Sequence, residues 1–99
     1  KPVENSETVR LRVTQAYDLQ IYRQNFLNQS LSPQQLEKYA LLDDGSQKII
    51  ALAQQRLNLS ARAYHRILRV ARTIADLAQS EHIQSMHLTE ALSYRSQEN

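Results

Sequence analysis

The chain has no cysteine and no tryptophan, and among its 99 residues there are one glycine, two prolines and one phenylalanine. Without cysteine there is no disulfide framework, no thiolate nucleophile and no Cys-ligated zinc, and a reducing, cytoplasmic location is expected. A single glycine cannot build a Gly-rich phosphate cradle, so the chain cannot bind a nucleotide alone by that device. No apolar run approaches the roughly 18 residues of a membrane span and no signal peptide is visible, so no membrane partner is expected. From the opening Lys1-Pro2, without a methionine, a piece cut from a longer protein is expected.

Acidic and basic residues nearly balance, leaving a net charge of +2, too small to imply nucleic acid by itself. Their distribution is uneven. Residues 60–79 carry four arginines and one aspartate, and the remainder is slightly acidic. That stretch has no Gly or Pro and is rich in Ala, Leu and Arg, so it reads as one helix. Ser60 is placed to cap it. Stepping about 100° per residue, Leu77, Val70, Ala63, Ile74, Ile67, Ala78, Ala71, Tyr64, Ala75 and Leu68 fill one half. Arg72, His65, Asp76, Arg69, Arg62, Thr73 and Arg66 fall on the opposite arc, expected to be the open side. Solvated charge accounts for Arg66, Arg69 and Arg72. Arg62 differs because it lies in the first turn, where the helix dipole disfavours a cation unless an anion shares the site.

The rest of the chain reads as four more helices and no sheet, a single all-α domain of five helices. Residues 1–5 read as linker, 6–95 as the helical domain and 96–99 as a fraying tail. A first long helix, about 7–28, has Ser6 as its expected cap. It carries two apolar rows, Val13, Tyr17, Ile21 and Leu19, Tyr22, Phe26, as in a helix covered from more than one side or reaching beyond its own bundle. The remaining bundle occupies about 33–95. Ser32, Pro33 and Gln35 form a capping box with proline in the first helical position, and Leu31 and Leu36 stand at the staple positions. Gly45 is the expected left-handed stop of that helix, with Asp43 and Asp44 in the turn. Ser46 then opens a helix with Ile49, Ile50, Leu52, Ala53 and Leu57 facing inward. Asn58 and Leu59 break it. Ile83 is an apolar plug before a last helix, expected to start with Ser85 as cap and to bury Leu88, Ala91, Leu92 and Tyr94.

No constellation for catalysis is evident. His82 and His87 match no zinc spacing and read as surface histidines, so no metal is expected. His65, among arginines, reads as facing solvent or as supporting a neighbouring site residue. No Ser/His/Asp arrangement is suggested by order or spacing.

The run from Leu59 to Leu77, LSARAYHRILRVARTIADL, and that from His87 to Arg95, HLTEALSYR, closely resemble the C-terminal domain of the magnesium-chelatase-like AAA+ proteins of bacteria, the competence-associated ComM/YifB group. Arg12, Val13, Ala16, Gln20, Arg23 and Asn28 are similar to that family's spacing in the first helix, whereas Tyr17-Asp18 stands where a more basic continuation is expected. The resemblance implies that this is the helical lid of a hexameric P-loop ATPase, inactive alone, with ATP and Mg2+ bound by the parent protein. Its partners would be the AAA+ core domain of the same chain, neighbouring subunits of the hexamer, and DNA through the parent. Ser60-Ala61-Arg62 matches the position of the sensor 2 arginine, which contacts the ATP γ-phosphate. Arg66 is a second candidate for the nucleotide, and Arg69 and Arg72 for nucleic-acid or partner contact. The family association is with natural transformation and DNA branch migration. Two alternatives stay open, a basic DNA-binding or protein-interaction module and a chelatase lid in tetrapyrrole metallation.

Overall fold

A computed structural model describes residues 5–95, with Arg95 described by its backbone. The linker expected over 1–5 and the tail over 96–99 lie outside it, apart from Asn5. Five α-helices follow one another: α1 (Ser6–Gln24), α2 (Pro33–Tyr39), α3 (Asp44–Leu57), α4 (Ala61–Leu77) and α5 (Ser85–Arg95). A single 3-10 turn, Asn28–Ser30, lies between α1 and α2. Among the described residues there is no strand, only an isolated backbone bridge between Leu42 and Ile83. The all-α, five-helix expectation holds.

α4 is the hub, with α5, α1 and α2 packed against it and α3 packed on α5. The core is closed by Leu31 and Leu36 at the start of α2, Ala40, Ile50 of α3, Ile67, Leu68, Ala71 and Ala75 of α4, and Ile83, Leu88 and Ala91. Ile83 is the plug its isolation implied. Leu31 and Leu36 are both buried, and Ser32 and Gln35 exchange both bonds of the capping box. That motif fixes where the chain turns into α2.

Several boundaries differ from the sequence reading, each for a local reason. Asn5, not Ser6, caps α1, its side chain accepting from the Thr8 N–H at 2.8 Å. That helix stops at Gln24 because Asn25 adopts the left-handed conformation, φ 65°, which asparagine tolerates better than most residues. Gly45 is not a stop. α2 ends at Tyr39, and Gly45 lies inside the first turn of α3. Asp43 is the cap of α3, with its carboxylate accepting from Ser46 N–H at 2.7 Å, so Ser46 follows the start rather than opening the helix. Leu52 and Leu57 are exposed, as is Tyr94, whose hydroxyl bonds Glu90. Asn58 does end α3, again in the left-handed conformation.

Candidate functional site

The face of α4 that carries the arginines is the candidate site, and the structure divides it in two. The buried arc of this helix is turned away from the middle of its apolar half toward Arg72 and Asp76. Ile67, Leu68, Ala71 and Ala75 are buried, but so are Arg72 and Asp76, at 3% and 1% exposure. Val70, Ile74 and Leu77, on the other flank of the apolar half, are only half-buried. Arg72 is therefore buried and not on the open side. This corrects the sequence reading.

Arg72 works as an internal clamp. Its guanidinium donates to the Ser80 carbonyl at 2.9 Å and the Glu81 carbonyl at 3.2 Å, and pairs with Asp76 one turn on at 3.0 Å. Those carbonyls belong to the turn that follows α4, so Arg72 ties the exit of the helix back onto its own buried side. Burial pulls its pKa below the usual arginine range; Asp76 opposes this and Arg23 adds to it. Its Nε has no hydrogen-bond partner.

Asp76 is also shared with α1. Arg23 grips it with two bonds, Nη1 to Oδ1 at 2.9 Å and Nη2 to Oδ2 at 3.0 Å. Asn28 adds Nδ2 to Oδ2 at 2.9 Å and to the Thr73 hydroxyl at 3.0 Å. Gln24 donates to Asn28 Oδ1 at 2.8 Å, and Gln20 Oε1 accepts the Asn28 N–H at 2.8 Å. One carboxylate thus collects two arginines and an asparagine in a water-poor setting, where charge-assisted bonds are strongest. The residues Gln20, Arg23 and Asn28 that marked the first helix in the sequence form this network. The role of Asp76 was not legible beforehand; the only signal was its i, i+4 spacing from Arg72.

The open half is built from Arg62, Arg66 and Arg69. Together with Gln29, Val70, Thr73 and Ile74 they line a broad surface groove. Ser60 starts the helix with its hydroxyl accepting from Ala63 N–H at 3.1 Å, which puts Arg62 in the first turn. Arg62 is exposed, and none of the hydrogen bonds or ion pairs among the described residues involves it. Arg66, one turn on, is exposed. Arg69 is half-buried and spends its Nε on the Leu31 carbonyl at 2.9 Å. The groove therefore combines three cations with a partly apolar wall, a surface suited to an anionic partner.

The histidines divide differently from their expected surface role. His82 is exposed, but His87 is buried, and its Nδ1 accepts the Gln84 N–H at 2.9 Å at the start of α5. It serves as the returning half of a cap, and Ser85 is a first-turn residue near Ser46 instead. His65 is half-buried, its ring edge-on to Tyr64 at 5.4 Å between centroids. Among the described residues no group of three or more His, Cys, Asp or Glu could hold a metal ion, and no helix is long and apolar enough to cross a membrane.

Comparison with known proteins matches residues 3–95 to the family described as magnesium chelatase, subunit ChlI C-terminal. The YifB protein of Escherichia coli is 43% identical over 94 residues, covering 95% of this chain and 19% of that protein. The competence protein ComM of Haemophilus influenzae and the YifB protein of Salmonella typhimurium are each 41% identical over 92 residues, covering 93% of this chain and 18% of theirs. The chain thus spans about a fifth of the length of these relatives. With the match running through the capped α4, the arginine groove and the Asp76 network alike, the chain belongs to the family of magnesium chelatase C-terminal domains.

Proposed function

We propose that this chain is the helical lid of a hexameric, magnesium-chelatase-like AAA+ ATPase, and that Arg62 is its sensor 2 arginine. The observation that carries this reading is the setting of Arg62. It is a cation in the first turn of α4, against the dipole, with no partner among the described residues and beside backbone N–H groups that favour an anion. Arg69 and Arg72 already bond carbonyl oxygens. A guanidinium in that position fits a phosphate, which it can hold with two parallel bonds. ATP and Mg2+ would be held mainly by the core domain of the parent chain, and the lid would add charge stabilisation at the γ-phosphate and lose that contact on hydrolysis. Arg66 is placed to support Arg62 from the same groove.

The competence protein among the relatives favours coupling of this cycle to DNA remodelling in the cytoplasm, with core domain, neighbouring subunits and DNA as partners, over a role in tetrapyrrole metallation. Direct binding of DNA by this chain has less support than the sequence offered, because Arg72 is internal. Three remaining arginines would give a slope of about −3 in log K against log salt.

The test is ATP hydrolysis by the full-length protein. Arg62→Ala is expected to lower turnover on the order of 10²-fold or more, as for other arginines that stabilise phosphoryl transfer. Turnover equal to the unsubstituted protein would overturn the assignment.

A further inference from the structure

The hydrophobic core of this domain is complete without α1. Every buried apolar side chain in the core cluster, and every half-buried one packed against it, comes from residue 31 onward. α1 fully buries one apolar side chain, Ala16, alongside Gln20 and Gln24, while Leu11, Tyr17, Leu19, Ile21 and Tyr22 are exposed. It is held instead by polar bonds gathered near its C-terminal end, chiefly those of Gln20, Arg23 and Gln24 to Asn28 and Asp76. Nearer its middle, Gln15 accepts from Gln79 at an exposed site.

We propose that α1 is a hinged arm, latched to α4 through Asp76, which detaches as a unit while α2–α5 stay folded. Three features make detachment inexpensive. Little apolar surface is lost to water, since the covered apolar side chains of α1 are Ala16, which contributes no more than a methyl group, and the half-buried Val13. When Arg23 leaves, Asp76 keeps Arg72, and Arg72 keeps the Ser80 and Glu81 carbonyls, so no bare charge is stranded in the bundle. A hinge stands in the right place: Asn25 is left-handed, Leu27 is extended, and the 3-10 turn follows. Gln29 of that turn also lines the arginine groove, so hinge and groove share a wall. Such a segment belongs to the low end of the range of local opening free energies found within one domain.

Native-state hydrogen exchange of the 99-residue chain, which closes its own core, tests this directly. Amides of residues 12–24 are expected to exchange at least about tenfold faster than those of residues 67–75, through an opening that exposes less surface to denaturant. Arg23→Gln is expected to speed exchange in α1 by on the order of tenfold, the loss of one charge-assisted pair, and to leave α4 and α5 unchanged. A common opening rate for α1 and α4 in the unsubstituted chain would overturn the proposal, and so would equal loosening of both helices by the substitution. The first of these needs no variant and stands even if Arg23→Gln folds poorly.

Discussion

α4 and α1 are the two long helices of this domain, with 17 and 19 residues, and they face their neighbours with opposite chemistry. α4 buries Ile67, Leu68, Ala71 and Ala75 in a shared core, and two charged residues only where they are paired. α1 turns Gln20, Arg23 and Gln24 inward and leaves Tyr22 at 91% exposure. The difference teaches that helix formation and bundle membership are separate matters. Both segments have helix-forming sequences, but only α4 gains most of its stability from apolar burial, the usual source in proteins. The attachment of α1 depends on bonds whose net worth is small unless one partner is removed.

Substitutions at the junction and in the core should expose this contrast. The largest effect is expected for Asp76→Ala, which leaves the buried Arg72 guanidinium without its countercharge and also unlatches α1. A loss of about 3–5 kcal/mol in denaturant unfolding is expected. A loss below about 1 kcal/mol would mean that the junction is far wetter than it looks. Leu88→Ala, in the α5 core, should cost about 2–5 kcal/mol and loosen α2–α5 together. Tyr22→Ala on the outer face of α1 should change stability by less than about 0.5 kcal/mol. A cost similar to that of Leu88→Ala would erase the distinction between the two regions.

Between those extremes lie the caps. Ser60→Ala should cost about 1 kcal/mol and fray the start of α4, where Arg62 sits, as read by exchange at Ala63. Asp43 offers a weaker, pH-dependent version. Hydrogen bonds from the Ser46 backbone and side chain hold its carboxyl below the usual aspartate range. A depressed folded-state pKa adds stability that is present above the unfolded value, about 3.9, and is lost as pH falls through the folded one. The thermal midpoints of the unsubstituted chain and Asp43→Ala should therefore differ at pH 7 and draw together in acid. A difference that does not shrink would assign the effect to something other than the carboxylate.

How far the sequence was legible follows the same division. Where a structural signal is local, it was readable: the Ser32-Pro33-Gln35 box, the Ser60 cap after Asn58, and the position of Arg62 in a first turn all depend on residues within one turn of each other. Gly45 misled because glycine's conformational freedom is optional, whereas Asp43 two residues earlier offered a carboxylate to the next helix. The end of α1 was missed because left-handed asparagine gives a much weaker signal than glycine. Arg72 and Asp76 could not be placed from α4 alone. Their polar arc is covered by Arg23 and Asn28 from about 50 residues earlier in the chain, and a helical wheel contains no such partner.

The most direct test of the functional account is a structure of the full-length protein with a non-hydrolysable ATP analogue. The account expects the Arg62 guanidinium within hydrogen-bonding reach, about 2.7–3.2 Å, of a γ-phosphate oxygen, in its own subunit or a neighbour's. A guanidinium turned to solvent in every protomer, with nucleotide bound, would contradict it.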